Sequence, residues 1–452
     1  MTDLAFRTAF ETAESVRRRE VSPVELLDAA IAQIDAVDSE VHAFVTVDRE
    51  GARRAAEAAE EWLLQGHDVG PLHGVPFSVK DLIDVAGMPT SRGCAPLPTE
   101  SVEQDAPVVA LARRAGGICI GKTSLPELGW GYATQSPLTG TTRNPRDVRR
   151  TAGGSSGGAA AALAAGMGAL AIGTDGGGSV RQPAAYNGVV GFKPSAGLVP
   201  IYPPTRTGAI GHYGPMARTV DDVVLLLDAI AGADSRVTGS TDRSFHALSR
   251  GGVQGWRIAY APTVNGHRVD DEVADIIVRR AERLVDAGAT VEQIDLNVDG
   301  IEQVWDALYL SAIFDTFKQL DSTDSTYSDD FLEFIEEARA LPPKACRDAE
   351  LRRHDLNRTL WNQIGSFDLV VMPTTSTVAF DADALAPDVV GGQARHGRDW
   401  VRLTQVWNLS GQPAISVPVG TAHGLPVGMQ LIGPLGADAR VLRAARTLEK
   451  IG

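Results

Sequence analysis

Short apolar runs recur along this chain between segments of helical period, and that alternation restricts the fold more than any other feature. Strands are read at 42–47, 75–79, 118–120, 169–173 and 189–192, and again at 258–261, 290–294, 369–372, 414–417 and 429–432. Between them lie helical patterns. One opens at Ser22-Pro23-Val24-Glu25, where Ser22 caps, Pro23 suits the first turn and Glu25 reaches back. Leu26, Leu27, Ala30, Ile31 and Ile34 then fall on one helical face. Others are read ending near 65–66, at 105–115, 158–165 and 270–287, at 220–231 with Thr219 as its cap, and at the C-terminus. Such alternation argues for an α/β sandwich around a largely buried sheet. No Pro- or Ser-rich linker interrupts it, so the reading is one domain over 1–452. The acidic, helix-biased stretch from 301 to 364 belongs to an elaboration at about 234–368 that shapes access to the site.

Composition removes several classes. The 452 residues carry 57 Asp and Glu against 42 Lys and Arg, a net charge of −15, which leaves no general case for nucleic-acid or anionic-membrane binding. Three cysteines, Cys94, Cys119 and Cys346, form no CxxC and cannot all pair, which suits a reducing compartment. Nine histidines stand in no distinctive context, with no HExxH and no zinc spacing, so no metal is expected. The N-terminus shows no signal-peptide pattern, and the longest uncharged run, 157–174, is Ala- and Gly-rich and short of a membrane span. A cytoplasmic enzyme is the expectation.

Two Gly-rich segments remain to be explained, Thr151-Ala-Gly-Gly-Ser-Ser-Gly-Gly158 and Gly173-Thr-Asp-Gly-Gly-Gly-Ser-Val-Arg181. Neither carries the Lys of a P-loop or a GxGxxG register, so nucleotide binding is disfavoured. Gly153-Gly154-Ser155-Ser156-Gly157 fits the GxSxG of a nucleophile elbow, but residues 146–150 before it are too charged for a central strand. The segment ending at Ser179 has better geometry. An apolar strand runs into three glycines and a serine, where the backbone can turn sharply and aim successive N–H groups into one space. An ordinary Gly-rich loop satisfies the same pattern. A serine nucleophile also needs a base, and Lys80, at the end of the strand 75–79, is the candidate. A solvated lysine is the plainer reading of that residue alone.

Together, Lys80, Gly-Gly-Ser155-Ser-Gly-Gly and Asp-Gly-Gly-Gly-Ser179-Val-Arg resemble the amidase signature family of serine hydrolases, with 24 residues from Ser155 to Ser179 and 99 from Lys80 to Ser179. Similar stretches include His73-Gly-Val-Pro-Phe-Ser-Val-Lys-Asp81, Asn144-Pro145, Gly188-Val-Val-Gly-Phe-Lys-Pro194, Gly214-Pro-Met-Ala-Arg218, Asn408-Leu-Ser-Gly-Gln-Pro and Leu425-Pro-Val-Gly-Met-Gln-Leu-Ile-Gly433. The fold this implies is α/β, a large mixed central sheet covered by helices on both faces, with the signature core at about 70–220.

The resemblance implies Ser179 as nucleophile, Ser155 as bridging serine after a cis peptide, and Lys80 as base. It also implies the N–H groups of Gly176, Gly177, Gly178 and Ser179 as oxyanion donors. Ser156, Asp175 and Arg181 are read as structural support, and Gly129, Trp130, Gly131 and Tyr132 as lining the acyl side of the site. Gly176 departs from the family's usual threonine. The loop 202–213, with Pro203, Pro204 and Arg206, is a candidate cover for the entrance. The expected activity is hydrolysis of C–N acyl bonds in small amides or aryl amides through an acyl-enzyme, with carbamates and aryl esters open to the same chemistry. No cofactor and no direct nucleic-acid partner are expected, and a homodimer is possible. The competing class is a glutaminase subunit of a tRNA-dependent amidotransferase.

Overall fold

A computed structural model describes residues 2–451 apart from 206, 242 and 318–325. Among the described residues, eleven strands make one mixed sheet. In chain order they are β1 (Phe44–Val47), β2 (Pro76–Lys80), β3 (Ile118–Thr123), β4 (Leu170–Asp175), β5 (Val190–Lys193), β6 (His212–Ala217), β7 (Arg257–Tyr260), β8 (Thr290–Gln293), β9 (Leu369–Pro373), β10 (Ala414–Ala422) and β11 (Leu425–Ile432). Their order across the sheet is β1-β3-β2-β4-β6-β5-β10-β11-β9-β7-β8. Strand β2 runs parallel to both β3 and β4, whereas β6 is antiparallel to β4 and β5. Strands β7 and β8, from within the 234–368 stretch, extend this same sheet.

Alternate side chains of the strands feed two apolar layers, as a pleated strand requires. Phe77, Val79, Leu170, Ile172, Ile258, Leu369 and Val371 join one cluster, which packs under helices Pro107–Arg114, Val220–Ile230, Asp271–Asp286 and Asp438–Lys450. Ala259, Val370, Met372, Ala414 and Ile432 join another, beneath helices Ile301–Phe317, Asp329–Arg339, Ala345–Ile364 and Arg402–Leu409. Helices therefore cover both faces.

The local signals hold where they are strongest. Ser22 accepts from Glu25 N–H and Glu25 accepts from Ser22 N–H, closing the capping box of helix Pro23–Val41. Thr219 caps Val220–Ile230. Two elements have weak sequence signals, helix Arg402–Leu409 and the central strand β6, whereas helix Ala9–Arg17 has its own capping box of Thr8 and Glu11. Strand β6, His-Tyr-Gly-Pro-Met-Ala, carries a Gly and a Pro, which count against a central strand. Pro215 lies outside the short ladder with β5, which pairs only Met216 and Ala217, and Gly214 is required because a Cβ there would meet the Phe192 carbonyl oxygen at 2.3 Å. Residues 147–151 do form a strand, but in a separate two-stranded hairpin with Arg143–Asn144. No strand of the central sheet runs directly into Ser155, so the elbow reading fails on topology. No helix among the described residues is long and apolar enough to cross a membrane.

Candidate active site

The carboxyl ends of the parallel strands β2 and β4 lie side by side. Lys80 is the last residue of β2, and Thr174 and Asp175 are the last two of β4. Pleating puts Ser78 and Lys80 on the face opposite Phe77 and Val79. That face is closed, and the whole of β2 is buried. Lys80 is thereby sealed from solvent, with 0% exposure. Its Nζ lies 2.7 Å from Ser155 Oγ and donates to Thr174 Oγ1 at 2.8 Å. Burial pushes the amine down from its ordinary 10.5 to about 7, while the charge of Asp175 pulls the other way. An amine there exchanges protons near neutrality, which a solvated lysine does not.

Ser155 comes from the loop just before helix Gly157–Ala164, and the Gly154–Ser155 peptide is cis. Ser156 fastens this loop to the other Gly-rich segment. Its N–H donates to the Ser179 carbonyl at 3.0 Å, and its hydroxyl donates to the Thr174 carbonyl at 3.2 Å. Ser155 and Ser179 both open onto one cavity of about 750 Å³, within the usual range for a small-molecule site.

The loop after β4 is built around Asp175. Its carboxylate accepts from Arg181 Nε and Nη2, both at 2.9 Å, from Gly178 N–H at 2.7 Å, Val180 N–H at 3.2 Å and Asn408 Nδ2 at 2.9 Å. Burial alone would raise this carboxyl, but the Arg181 charge and hydrogen bonds, with help from Asn408 and Lys193, hold it well below the usual range. Arg181, also fully buried, further donates to the Thr404 carbonyl, Gln430 and Asn408. The pair is fully satisfied, and its geometry is that of a scaffold inside the loop.

Gly178 departs from the expectation. Its N–H is already committed to Asp175, so it is not available to an oxyanion. Gly178 also has φ of +116°, and a Cβ there would meet Thr404 Oγ1 at 2.3 Å. This position needs glycine for the close approach of helix Arg402–Leu409. Gly177 is tightly packed too, a Cβ falling 2.7 Å from Trp305 Cζ2. At Gly176, by contrast, a Cβ would meet nothing within 4 Å, so the missing threonine side chain leaves open cavity.

The neighbouring carbonyls are pinned from outside. Trp305 Nε1 donates to Gly176 O at 3.0 Å, Thr404 Oγ1 to Gly177 O at 2.7 Å, and Gln182 N–H to Gly178 O at 2.8 Å. In a trans peptide the N–H points opposite to the carbonyl, so these bonds fix where the next N–H groups aim. The N–H groups of Gly176, Gly177 and Ser179 have no protein acceptor among the described residues.

The expected lining residues divide. Gly129, Trp130 and Tyr132 line the cavity. Gly131 is buried behind it, its carbonyl 2.7 Å from where a Cβ on Gly154 would stand, so it supports the Ser155 loop rather than the cavity wall. Trp130 lines the cavity and also stacks on Phe334 at 5.1 Å. Trp305 and Tyr309 stack at 4.6 Å on the same wall, and Tyr309 Oη donates to Gly129 O at 3.2 Å. Tyr202, Pro203, Pro204, Thr205 and Thr207 of the 202–213 loop also line the cavity, and Arg206 lies outside the described residues. Thr174, Trp305, Tyr309, Thr404 and Asn408 carry no motif of their own. Only the i, i+4 spacing of Trp305 and Tyr309 and the Asn408-Leu-Ser-Gly-Gln-Pro stretch point toward them. No group of three or more His, Cys, Asp and Glu among the described residues is placed to hold a metal ion.

A strand-end lysine with depressed basicity, two serines and an Asp-anchored loop of N–H groups define a hydrolase of amide C–N bonds. Residues 25–442 match the Amidase family model, and the chain belongs to that family. It is 36% identical to the acylamidase of Rhodococcus erythropolis over 464 residues, 99% of this chain and 96% of that one. It is also 36% identical to one component of the glutamyl-tRNA(Gln) amidotransferase of Acidothermus cellulolyticus, over 99% of this chain and 95% of that one. Among solved structures, a bacterial aryl acylamidase of the amidase signature family superposes with a TM-score of 0.91 at 29% identity, covering 99% of this chain and 96% of that chain.

Proposed function

We propose that this protein is a free-standing aryl acylamidase acting through a Ser179–Ser155–Lys80 relay, within a single domain whose 234–368 stretch shapes access. The carrying observation is Lys80, sealed from water, 2.7 Å from Ser155, with its amine brought to about 7. Neutral Lys80 takes the Ser155 proton as Ser155 takes that of Ser179, and Ser179 Oγ bonds to the substrate carbonyl carbon. The oxyanion accepts from the N–H groups of Gly176, Gly177 and Ser179, pre-oriented through the preceding carbonyls by Asn408, Trp305 and Gln182, so little reorganisation accompanies the charge. Collapse returns the proton through Ser155 to the leaving amine, breaking the C–N bond. Water then attacks the acyl-enzyme by the same route. Ser156, Asp175 and Arg181 are positioning residues for the loop.

The aromatic wall of Trp130, Trp305 and Tyr309 supports an aryl group, since stacking adds to the burial of such a ring. The acylamidase relative and the aryl acylamidase neighbour support the same choice. Carbamates and aryl esters meet the same oxyanion loop. The test is a matched panel of anilide, aliphatic amide, N-aryl carbamate and phenyl ester, given to the purified chain alone. Anilide turnover is the expected result. Inactivity until partner chains and charged tRNA are added would establish instead the glutaminase reading that the amidotransferase relative supports.

A further inference from the structure

The substrate cavity has a second end that neither the relay nor the aromatic wall uses. Trp130, Trp305 and Tyr309 belong with the apolar layer on one face of the sheet. Tyr213 lines the same cavity but joins Phe77 and Val79 in the layer on the opposite face. The cavity therefore reaches round the strand ends. Leu82 marks the turn, since a Cβ on Gly129 would stand 3.3 Å from Ser155 Oγ and 3.6 Å from Leu82 Cδ2. Asp84 follows two residues later, and both Asp84 and Arg92 line the cavity.

Among the described residues, three formally charged side chains line the cavity: Asp84, Arg92 and Asp175. Asp175 is held by Arg181. Arg92 is exposed, and its guanidinium has no hydrogen bond, ion pair or ring contact to any described residue. Its backbone is fixed. With φ of +57°, its N–H donates to Asp81 O at 3.1 Å and its carbonyl accepts from Leu128 N–H at 2.7 Å. Asp84 is half-buried, and its carboxylate has no described partner, Arg92 included. Tyr213 Oη is likewise unpartnered, and neither it nor the Asp84 oxygens are sealed inside the protein. The three groups are neighbours: burial first, then the Asp84 charge, raises the Tyr213 phenol, while the Arg92 charge opposes them.

A substrate entering this end strips water from both charges, so each must meet its opposite in the ligand or stay desolvated. A lone carboxylate would face Asp84, and a lone ammonium would face Arg92, so like charge counts against either. A group that carries both charges satisfies both side chains, with Tyr213 Oη as a further donor.

We propose that Asp84, Arg92 and Tyr213 form a subsite for a zwitterionic group, Arg92 and Tyr213 Oη binding its carboxylate and Asp84 its ammonium. With the aryl group on the aromatic wall, the substrate class is aryl amides acylated through the distal carboxyl of an amino dicarboxylic acid, such as γ-glutamyl and β-aspartyl anilides. This rests on the proposed amidase reading and narrows its acyl group.

The experiment measures kcat/KM of wild type, Arg92→Gln and Asp84→Asn on p-nitroanilides of five acyl groups. The γ-glutamyl and β-aspartyl groups carry both charges, glutaryl only the carboxylate, 4-aminobutyryl only the ammonium, and butyryl neither. Wild type should favour the better zwitterionic substrate over the other three by about tenfold or more. Arg92→Gln should erase that lead and favour 4-aminobutyryl over glutaryl, and Asp84→Asn should do the reverse. A merely structural role would not split the two variants in opposite directions. Wild-type preference for butyryl or a singly charged group overturns the inference, as does a zwitterion-to-butyryl ratio unchanged by Arg92→Gln. Both results leave the amidase reading intact, whereas wild type cleaving none of the five ends the anilide reading and the inference together. If Asp84→Asn does not fold, Arg92→Gln decides alone, because its exposed guanidinium is bonded to no described residue.

Discussion

Replacing Lys80 with Met separates the state of the amine from its chemistry. The fully buried Lys80 goes from 10.5 to about 7 on folding. Between these values the unfolded chain holds a proton that the folded chain has shed, so wild-type stability rises with pH across that window. The slope from this one group is about 1.4 kcal/mol per pH unit, which amounts to about 2 kcal/mol from pH 7 to 9. Releasing the proton at pH 7 costs the folded state about 4 kcal/mol, and the two hydrogen bonds lost in the variant are worth about 1 kcal/mol each. Lys80→Met should therefore be inactive yet more stable at pH 7 by about 2 kcal/mol, with the advantage shrinking as pH rises to 9. Equilibrium urea unfolding of both proteins at pH 7, 8 and 9 measures this, and every other titrating group cancels in the difference. Stability curves that run parallel over that range would show that the folded protein keeps the Lys80 proton, and the neutral-base mechanism would fail.

The same amine sets the pH dependence of turnover. Because the base works only when neutral, kcat/KM should rise through an inflection near 7 and be flat above it; a profile level down to pH 5 contradicts the assignment. A fluorophosphonate should attach to Ser179, read by peptide mass spectrometry, and modification at Ser155 or Ser156 in its place would reverse the roles of the serines. Gly178→Ala should lower kcat by about 100-fold or more, since its Cβ would lie 2.3 Å from Thr404 Oγ1 and displace the loop. Activity within threefold of wild type, measured on an anilide, would mean that the loop is not held as described.

Elements with a strong local signal were legible because their causes are local. The capping box of Ser22 and Glu25, the Thr219 cap and the apolar runs at β2, β4 and β9 require only neighbouring residues. The motif spacing of Lys80, Ser155 and Ser179 likewise named the family, and with it the reaction class, before any coordinates. Strand β6 was not legible, because Gly214 and Pro215 argue locally against a strand whose buried neighbours sustain it. The commitment of Gly178 N–H to Asp175 was also hidden, since one-dimensional order does not say which of four successive amides a carboxylate will take.

What the chain alone determined is the set of chemical groups: a lysine at a strand end, two serines and a run of glycines. What only the tertiary structure decided is their state. The amine of Lys80 is ordinary in water and reactive here because β3, β4 and the Ser155 loop exclude solvent around it. The amides proposed for the oxyanion are aimed by Trp305 and Asn408, more than 100 residues away in sequence. Desolvation and the direction of a dipole depend on everything that surrounds a group, and no stretch of sequence carries that by itself.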